Sequence, residues 1–368
     1  MEHQRGHRAP GDLEVGTADL FLPHEAPHTA PRAAPPNWLL VWEERRPRFL
    51  AEMIAEAFGV FLYCWAGMGA TAAFIIAAAN KEEGFGSIQT VAWSYSFAVA
   101  VALIFIAPTS GGHLSPGVTI SFAIFKGFPW RKVPHYIIAQ IIGAFLGSLM
   151  VYAQFAPQFN ALTNKMIAGG VDIFSPASPV GAIALFVPEN ANLGIVFLND
   201  FFCTFILGVA IYCVIDPTNV FITPSGGPLI IALTFFCVIA CFAPNGIALN
   251  TARDIGARFA MACIYGRGAF PSKYTALACL SNILATQVGA LFQIMWLSDS
   301  IRPHSAGAIE THKHVLQVEE GHITRKLTAR ANAGYCEETG PMSRILSIGN
   351  LSGKTQNGSI PQHIEKVG

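Results

Sequence analysis

The chain has 368 residues, of which 52% are hydrophobic and only 12% are charged, and its formal net charge is zero. Soluble domains carry about 25% charged residues, so this composition excludes an ordinary soluble protein. The neutral balance, without a basic stripe, also argues against nucleic acid as a partner. Residues 50–300 hold only 19 of the 46 Asp, Glu, Lys and Arg residues. A long apolar centre is therefore flanked by two polar ends.

The two ends of the chain are predicted to be disordered tails. Residues 1–48 are rich in Pro, His, Ala and charge, and residues 301–368 carry most of the remaining charged side chains. Segments of this kind cannot bury enough apolar surface to form a core. The first apolar run begins only after a polar, Pro-rich segment, so no cleavable signal peptide is predicted.

Between the tails, six apolar runs are long enough to cross a bilayer, which takes about 20 residues of helix. They are residues 51–79, 88–108, 134–155, 194–215, 228–244 and 274–297. Two shorter runs, residues 115–126 and 250–264, follow the second and fifth spans and suit re-entrant helices. We therefore predict an all-α integral membrane protein with six transmembrane helices and two half-helices.

The basic residues near the span ends predict the orientation in the lipid bilayer, because cytosolic loops carry an excess of Lys and Arg. Six of them fall on one side of the predicted spans: Arg45, Arg46, Arg48, Lys126, Arg131 and Lys132. This bias places both tails in the cytosol. We expect the plasma membrane to be the membrane that the chain crosses.

The order span, span, half-span, span occurs twice, in residues 50–157 and 194–298. An odd number of crossings in each unit gives the two copies opposite orientations in the membrane. Inverted repeats of this kind place a binding site or pore at their interface, near the midplane. Residues 49–300 are therefore predicted to form one channel domain.

Both half-spans open with a glycine-bearing stretch that leads to a favourable N-cap residue. The first reads Ser110-Gly-Gly-His-Leu-Ser-Pro-Gly-Val-Thr119, and the second reads Asn245-Gly-Ile-Ala-Leu-Asn-Thr-Ala-Arg-Asp254. Ser115 and Asn250 are the predicted N-caps, and Pro116 suits a first helical position. Ser115 and Asn250 could serve only as N-caps, or they could also face the pore. We predict that each has both roles.

These segments resemble the two Asn-Pro-Ala boxes of the aquaporin and aquaglyceroporin (major intrinsic protein) family. Ser115-Pro116-Gly117 is similar to the first box, and Asn250-Thr251-Ala252 with the following Arg253 is similar to the second. The resemblance covers about residues 50–298. It implies a passive channel that needs no cofactor, assembled as a homotetramer with a pore in each subunit.

The departures from the family boxes concern the centre of the pore. Ser115 replaces an expected Asn, Gly117 an expected Ala, and Thr251 an expected Pro. In the family, the two asparagines point amide N–H groups toward a passing hydroxyl, and Asn250 can still do so. Ser115 has a shorter, rotatable O–H that accepts as well as donates. The midplane is therefore expected to be wider and less strictly a donor.

By resemblance, the outer selectivity constriction consists of Tyr95, Val238, Ile247 and Arg253. Water-selective members usually carry a His where Val238 stands, so an aliphatic wall beside a guanidinium favours an amphipathic solute. If Tyr95, Val238 and Ile247 jointly leave too small an aperture, water or hydrogen peroxide is favoured instead. Glycerol-conducting members also carry an Asp and a basic residue at two positions that are Asp254 and Arg258 here.

Other polar groups at membrane depth are expected to shape the loops. Since a membrane carboxylate usually faces an interior partner, Glu56 and Asp200 are each expected to accept N–H bonds from a re-entrant loop; a proton relay is the alternative. His113 is expected to brace its loop rather than bind a metal or sense pH. Loop carbonyls are expected to line one wall of the pore: those of Gly111, Gly112, His113, Gly246, Ile247 and Ala248.

The predicted function is passive conduction of glycerol and other small uncharged solutes, with water. Two helix N-termini and Arg253 should repel cations and protons. The alternatives are a channel mainly for water or hydrogen peroxide, and a non-conducting relative that serves as an adhesion or scaffold protein. No catalytic residue and no metal site are predicted; Cys237 and Cys241 lie one helical turn apart, without a His or carboxylate nearby in sequence.

Overall fold

The computed structural model describes residues 36–82, 86–223, 225–299, 301–310, 312–313 and 316. Across these residues the regular secondary structure is helical. The α-helices are α1 Asn37–Arg45, α2 Arg48–Asn80, α3 Ile88–Ser110, α4 Pro116–Phe125, α5 Val133–Ala168, α6 Pro179–Ile183, α7 Leu193–Val214, α8 Gly227–Phe242, α9 Thr251–Tyr265 and α10 Ser272–Phe292. A π-helical turn, Gln293–Leu297, extends α10.

Six of these helical segments are long and apolar enough to cross a membrane, which confirms the predicted all-α membrane fold. They contain α2, α3, α5, α7, α8 and α10, while α4 and α9 are the two short re-entrant helices. The span predicted to end at 155 instead continues as α5 to Ala168. Polar residues such as Gln158 and Asn160 end the apolar run there without ending the helix.

The predicted boundaries of the tails differ from the structure. Within the segment that we expected to be disordered up to residue 48, an apolar stretch forms α1, and α2 begins at Arg48. At the other end, residues 306–310 are helical. The backbone N–H of Ser305 binds the carbonyl of Pro217 in the loop after α7. Residues 1–35 and 317–368 lie outside the described part of the chain.

The two repeats pack against each other through their half-helices. In each repeat the first span contacts the last, α2 with α5 and α7 with α10. The half-helix α4 also contacts α10 of the other repeat, and α9 contacts α5. Close approach needs small residues: a Cβ at Gly256 would lie 2.6 Å from the carbonyl oxygen of Ile141. This exchange brings the N-termini of α4 and α9 together inside the molecule.

Large apolar side chains on the outer faces of the long helices are exposed, as expected where lipid is the solvent. Four of them are each more than half exposed: Phe97 and Ile104 on α3, Phe202 on α7 and Leu284 on α10. Polar side chains in the middle of the long helices, such as Gln140 of α5 and Thr286 of α10, are buried. The hydrophilic interior is therefore surrounded by an apolar shell.

Candidate functional site

The first re-entrant loop is held by one carboxylate on α2. Glu56 accepts the backbone N–H groups of His113 and Leu114, each at 2.8 Å. It also accepts the Ser110 hydroxyl at 2.7 Å and the Gln140 amide at 2.8 Å. Glu56 is fully buried, and four donors compensate for the loss of water around its charge.

The second loop is held in the same way from α7. Asp200 accepts the backbone N–H groups of Ala248 and Leu249, at 2.6 and 3.0 Å, and the hydroxyl of Ser281. The residue before each N-cap adopts a positive φ, 57° at Leu114 and 60° at Leu249. Such a conformation is strained for leucine and persists only where surrounding bonds fix it. The two carboxylates supply those bonds, which is the bracing role that we expected for Glu56 and Asp200.

Asn250 and Ser115 meet at the centre of the molecule but behave differently. The Asn250 side-chain oxygen accepts the N–H groups of Ala252 and Arg253, at 2.9 and 3.3 Å, and so caps α9. The Ser115 side chain makes no cap bond to α4, contrary to the capping role expected for it. Ser115 is part of the lining of an internal cavity.

The amide nitrogen of Asn250 is already engaged within the protein. It donates to the carbonyl of Leu114 and to the hydroxyl of Tyr63, both at 2.7 Å. We had expected this amide to face a passing solute, and in this structure both of its hydrogens are in use. Tyr63 lies on α2, two helical turns beyond Glu56, and only 4% of its surface is exposed.

A cavity of about 850 Å³ leads from this centre to the side of the molecule that carries the C-terminal segment. Its inner end is formed by Tyr63, Ser115 and Asn250, and its mouth by Asp216 and His304 among others. Its walls are mostly aliphatic, with contributions from Val99, Leu103, Leu207, Ile211, Val214 and Ile231. Gly111, Gly112 and His113 of the first loop are also part of its lining.

Asp216 at the cavity mouth lies outside the spans and remains ionised. Burial by itself would raise the pKa of this carboxyl. Hydrogen bonds from the backbone and hydroxyl of Thr218 and from the Gln293 amide outweigh burial, and hold the pKa below its ordinary value. The mouth therefore carries a fixed negative charge.

The four expected constriction residues form a group on the other side of the centre, outside the lining of this cavity. Arg253 donates to the Tyr95 hydroxyl at 2.8 Å, and its guanidinium lies 5.8 Å from the centroid of the Tyr95 ring. The Tyr95 ring also packs on a buried cluster that contains Val238 and Ile247. Tyr95 thus joins the charged side of the group to its aliphatic side.

One terminal nitrogen of the Arg253 guanidinium has no hydrogen-bond partner among the described residues. The residue is only 4% exposed, and this nitrogen, Nη1, is buried. A buried charged donor in this state is costly unless a solute or water reaches it. In this structure the nitrogen is enclosed by its neighbours, and it makes no hydrogen bond to any described residue.

Not every expected pore residue contributes an open polar group. The Gly246 carbonyl accepts the Asn199 amide at 3.1 Å, and the Ala248 carbonyl accepts the N–H of Asn250 at 2.7 Å. His113 contacts Thr119 through its ring Nδ1 at 3.2 Å, which agrees with a bracing role. Within the described ranges, no three His, Cys, Asp or Glu side chains lie close enough together to hold a metal ion.

Asp254 and Arg258 form a buried ion pair rather than a part of the cavity wall. The Arg258 guanidinium contacts both carboxylate oxygens of Asp254, at 2.7 and 2.9 Å, and both residues are fully buried. Arg258 also donates to the carbonyls of Leu185 and Ala269. The pair fastens two loops to α9, so any effect on permeation is transmitted through the position of α9.

The comparison with known proteins agrees with this architecture. The family model described as Major intrinsic protein matches residues 43–277. An aquaporin of Laccaria bicolor is 40% identical over 269 residues, which cover 72% of this chain and 88% of that relative. The chain belongs to the major intrinsic protein family.

Relatives of this channel carry both kinds of name that the family uses. A probable aquaglyceroporin of Gibberella zeae is 29% identical and covers 68% of the chain and 71% of that relative. The X-ray structure of the aquaglyceroporin from Plasmodium falciparum matches with a TM-score of 0.57 at 25% identity, over 68% of this chain and 97% of that one. The protein is thus an integral multi-pass channel of the aquaporin and aquaglyceroporin type, and not an enzyme.

Proposed function

We propose that this channel conducts glycerol and other small uncharged solutes passively, together with water, and excludes ions and protons. The observation that carries the proposal is the two-sided constriction. The Arg253 guanidinium, whose buried Nη1 has no partner among the described residues, lies on one side, while Val238 and Ile247 lie in an aliphatic cluster on the other. A polyol can bond its hydroxyls to the guanidinium while its CH groups rest on the aliphatic side chains.

The inner cavity supports the same function. Its predominantly apolar wall suits a solute with CH groups, and the polar residues Ser115 and Thr204 are part of the lining. Conduction through each subunit of a homotetramer in the plasma membrane, with both termini in the cytosol, completes the proposal. Chemical cross-linking in native membranes tests the assembly.

A channel mainly for water or hydrogen peroxide is the second candidate, and one observation favours it. Val238, Ile247 and Arg253 are buried, Tyr95 is partly buried, and the Tyr95 ring contacts both sides of the constriction. Such close packing favours the smallest permeants. A non-conducting scaffold protein lacks a comparable supporting observation.

Stopped-flow swelling of proteoliposomes separates these candidates. We expect rapid water equilibration and a glycerol influx that does not saturate and does not depend on membrane potential or pH gradient. Vesicles that pass water and peroxide but exclude glycerol would support the second candidate. Vesicles that behave like protein-free lipid would leave only the scaffold.

A further inference from the structure

A tyrosine from the first span occupies the polar centre of the conduction path. The Tyr63 hydroxyl accepts the amide of Asn250 at 2.7 Å, and the Tyr63 side chain forms part of the inner end of the cavity. On the far side lie Tyr95 and Arg253 of the constriction. Tyr63 therefore stands between the wide inner cavity and the selectivity residues.

The hydrogen bonds of Asn250 leave nothing for a solute. The amide has two hydrogens, one bonded to the carbonyl of Leu114 and the other to Tyr63. Its oxygen is occupied by the N–H groups at the start of α9. A solute can bond Asn250 only after one of these partners has moved. Leu114 is fixed by Glu56, so the movable partner is the Tyr63 side chain.

The serine in the first box is compatible with this arrangement. Ser115 is shorter than the asparagine it replaces, makes no cap bond to α4 and lines the same cavity as Tyr63. The centre therefore contains one amide rather than two. Its single solute-facing amide hydrogen is the one that the phenol hydroxyl has taken.

We propose that Tyr63 controls the rate and selectivity of conduction, because its hydroxyl must release Asn250 before a solute can cross the midplane. A water molecule or polyol hydroxyl that enters between the two side chains accepts a hydrogen bond from Asn250 and donates one to Tyr63. It thereby replaces the direct bond between them. The inference rests on the proposed conduction of small neutral solutes, and it adds the residue at which that conduction is limited.

The test uses Tyr63→Phe in the full-length channel, because this change removes the hydroxyl and keeps the ring. Tyr212→Phe is the matched control: Tyr212 is equally buried, its hydroxyl bonds Ser121 at 2.5 Å, and it lies outside the cavity lining. Water and glycerol permeability are measured by stopped flow in proteoliposomes with equal protein content. Loss of one hydrogen bond should raise both rates about fivefold in Tyr63→Phe and leave Tyr212→Phe unchanged.

Tyr63→Leu extends the test, since it removes the ring as well and should increase glycerol permeability further. Gel filtration identifies variants that do not fold. A conducting wild type with unchanged or slower Tyr63 variants overturns the role of Tyr63 and leaves the proposed function standing. A silent wild type with conducting Tyr63 variants supports Tyr63 as the block. Silence in all of them overturns both proposals.

Discussion

Two residues that depart from the family's pore boxes, Gly117 and Thr251, pack against residues of α10. A Cβ at Gly117 would lie 2.8 Å from the Thr286 hydroxyl, so the alanine usual in the family does not fit here. Thr251 replaces a proline, and its hydroxyl binds the Asn282 side chain at 2.6 Å and the Cys279 carbonyl at 2.8 Å. At both boxes, the altered residue and its partner on α10 form one unit.

Gly117→Ala should therefore destabilise the channel by about 1–3 kcal/mol, since the added methyl group overpacks the contact with Thr286. The double variant Gly117→Ala, Thr286→Ala should recover most of that loss, because the clashing hydroxyl is gone. Thermal unfolding of the purified channel in detergent measures both. Additive effects of the two changes would show that residues 117 and 286 are not coupled.

Val238→His should lower glycerol permeability by about tenfold while sparing water, because the imidazole adds volume and a polar edge to the aliphatic side of the constriction. The ratio of glycerol to water permeability in stopped flow reports the effect. Val238→Ala is the control and should keep or increase glycerol flux. An unchanged ratio in Val238→His would place Val238 outside the conduction path.

Sequence reasoning found the carboxylates and the arginine because a charged group at membrane depth needs a partner, and it found the boxes by their resemblance to the family. It missed Tyr63, although Tyr63 lies seven residues after Glu56 and so on the same helix face. It also missed Gln140 and Ser281, which complete the carboxylate networks. Aromatic and small polar residues are ordinary in a span, and only contacts between distant segments distinguish these three.

At the scale of elements, each re-entrant loop depends on one carboxylate of a neighbouring helix. Glu56 uses both oxygens to accept two backbone and two side-chain donors. In a glutamine at this position, an NH₂ group replaces one of the two oxygens. The two donors that bind that oxygen would then face another donor and lose their hydrogen bonds. The loop and the first box would then lose their common anchor.

We therefore expect Glu56→Gln to cost about 2–4 kcal/mol, since buried donors are left unpaired, and to abolish conduction. Glu52→Gln, one turn earlier on α2, is the matched control. Glu52 is also buried, but its partners are the partly exposed Lys132, at 2.6 Å, and the Tyr136 hydroxyl, rather than loop N–H groups. Its replacement should therefore cost less than that of Glu56. Unfolding in detergent and water permeability are compared for the two variants. Equal losses in both would refute a special role for Glu56.

For the C-terminal segment, the sequence predicted a disordered tail and gave no contact with the channel. We expected both ends of the chain to be disordered tails, yet His304, Ser305, Ala308 and Ile309 line the mouth of the inner cavity. A chain ending at Pro303 should therefore conduct faster than the full-length channel, because its mouth is wider. Removal of residues 1–35 should leave the rate unchanged. The water permeability of the two truncated channels, measured by stopped flow, tests this prediction. Slower conduction by the C-terminal truncation would mean that the segment supports the open mouth.

At the scale of the whole molecule, the inverted repeat was predictable because length, hydropathy and glycine placement are local properties. The packing of each half-helix on the opposite repeat was not, since it depends on contacts such as that between Gly256 and Ile141. The extent of α5 was also missed, because its polar last turns look like a loop.

The whole architecture concentrates positive potential at the centre. The N-termini of α4 and α9 converge there, each equivalent to about half a charge, and Arg253 adds a full one. We expect no measurable proton current in the native channel and a small one in Ser115→Ala, Arg253→Val. A pH dye inside liposomes clamped with valinomycin and potassium records it. A native proton current would mean that the serine in the first box breaks the barrier by itself.

The hydrogen bond between Asn250 and the carbonyl of Leu114 can form only after both residues have been synthesised. Its two residues are 136 positions apart, and a ribosome adding about 5–20 residues per second needs about 7–27 s to cover that distance. Until then, the first loop is held only by partners within its own repeat, such as Glu56 and Tyr136, and its half-helix lacks its partner at the centre. During that interval the nascent first repeat is an unfinished half-channel, exposed to membrane chaperones and proteases.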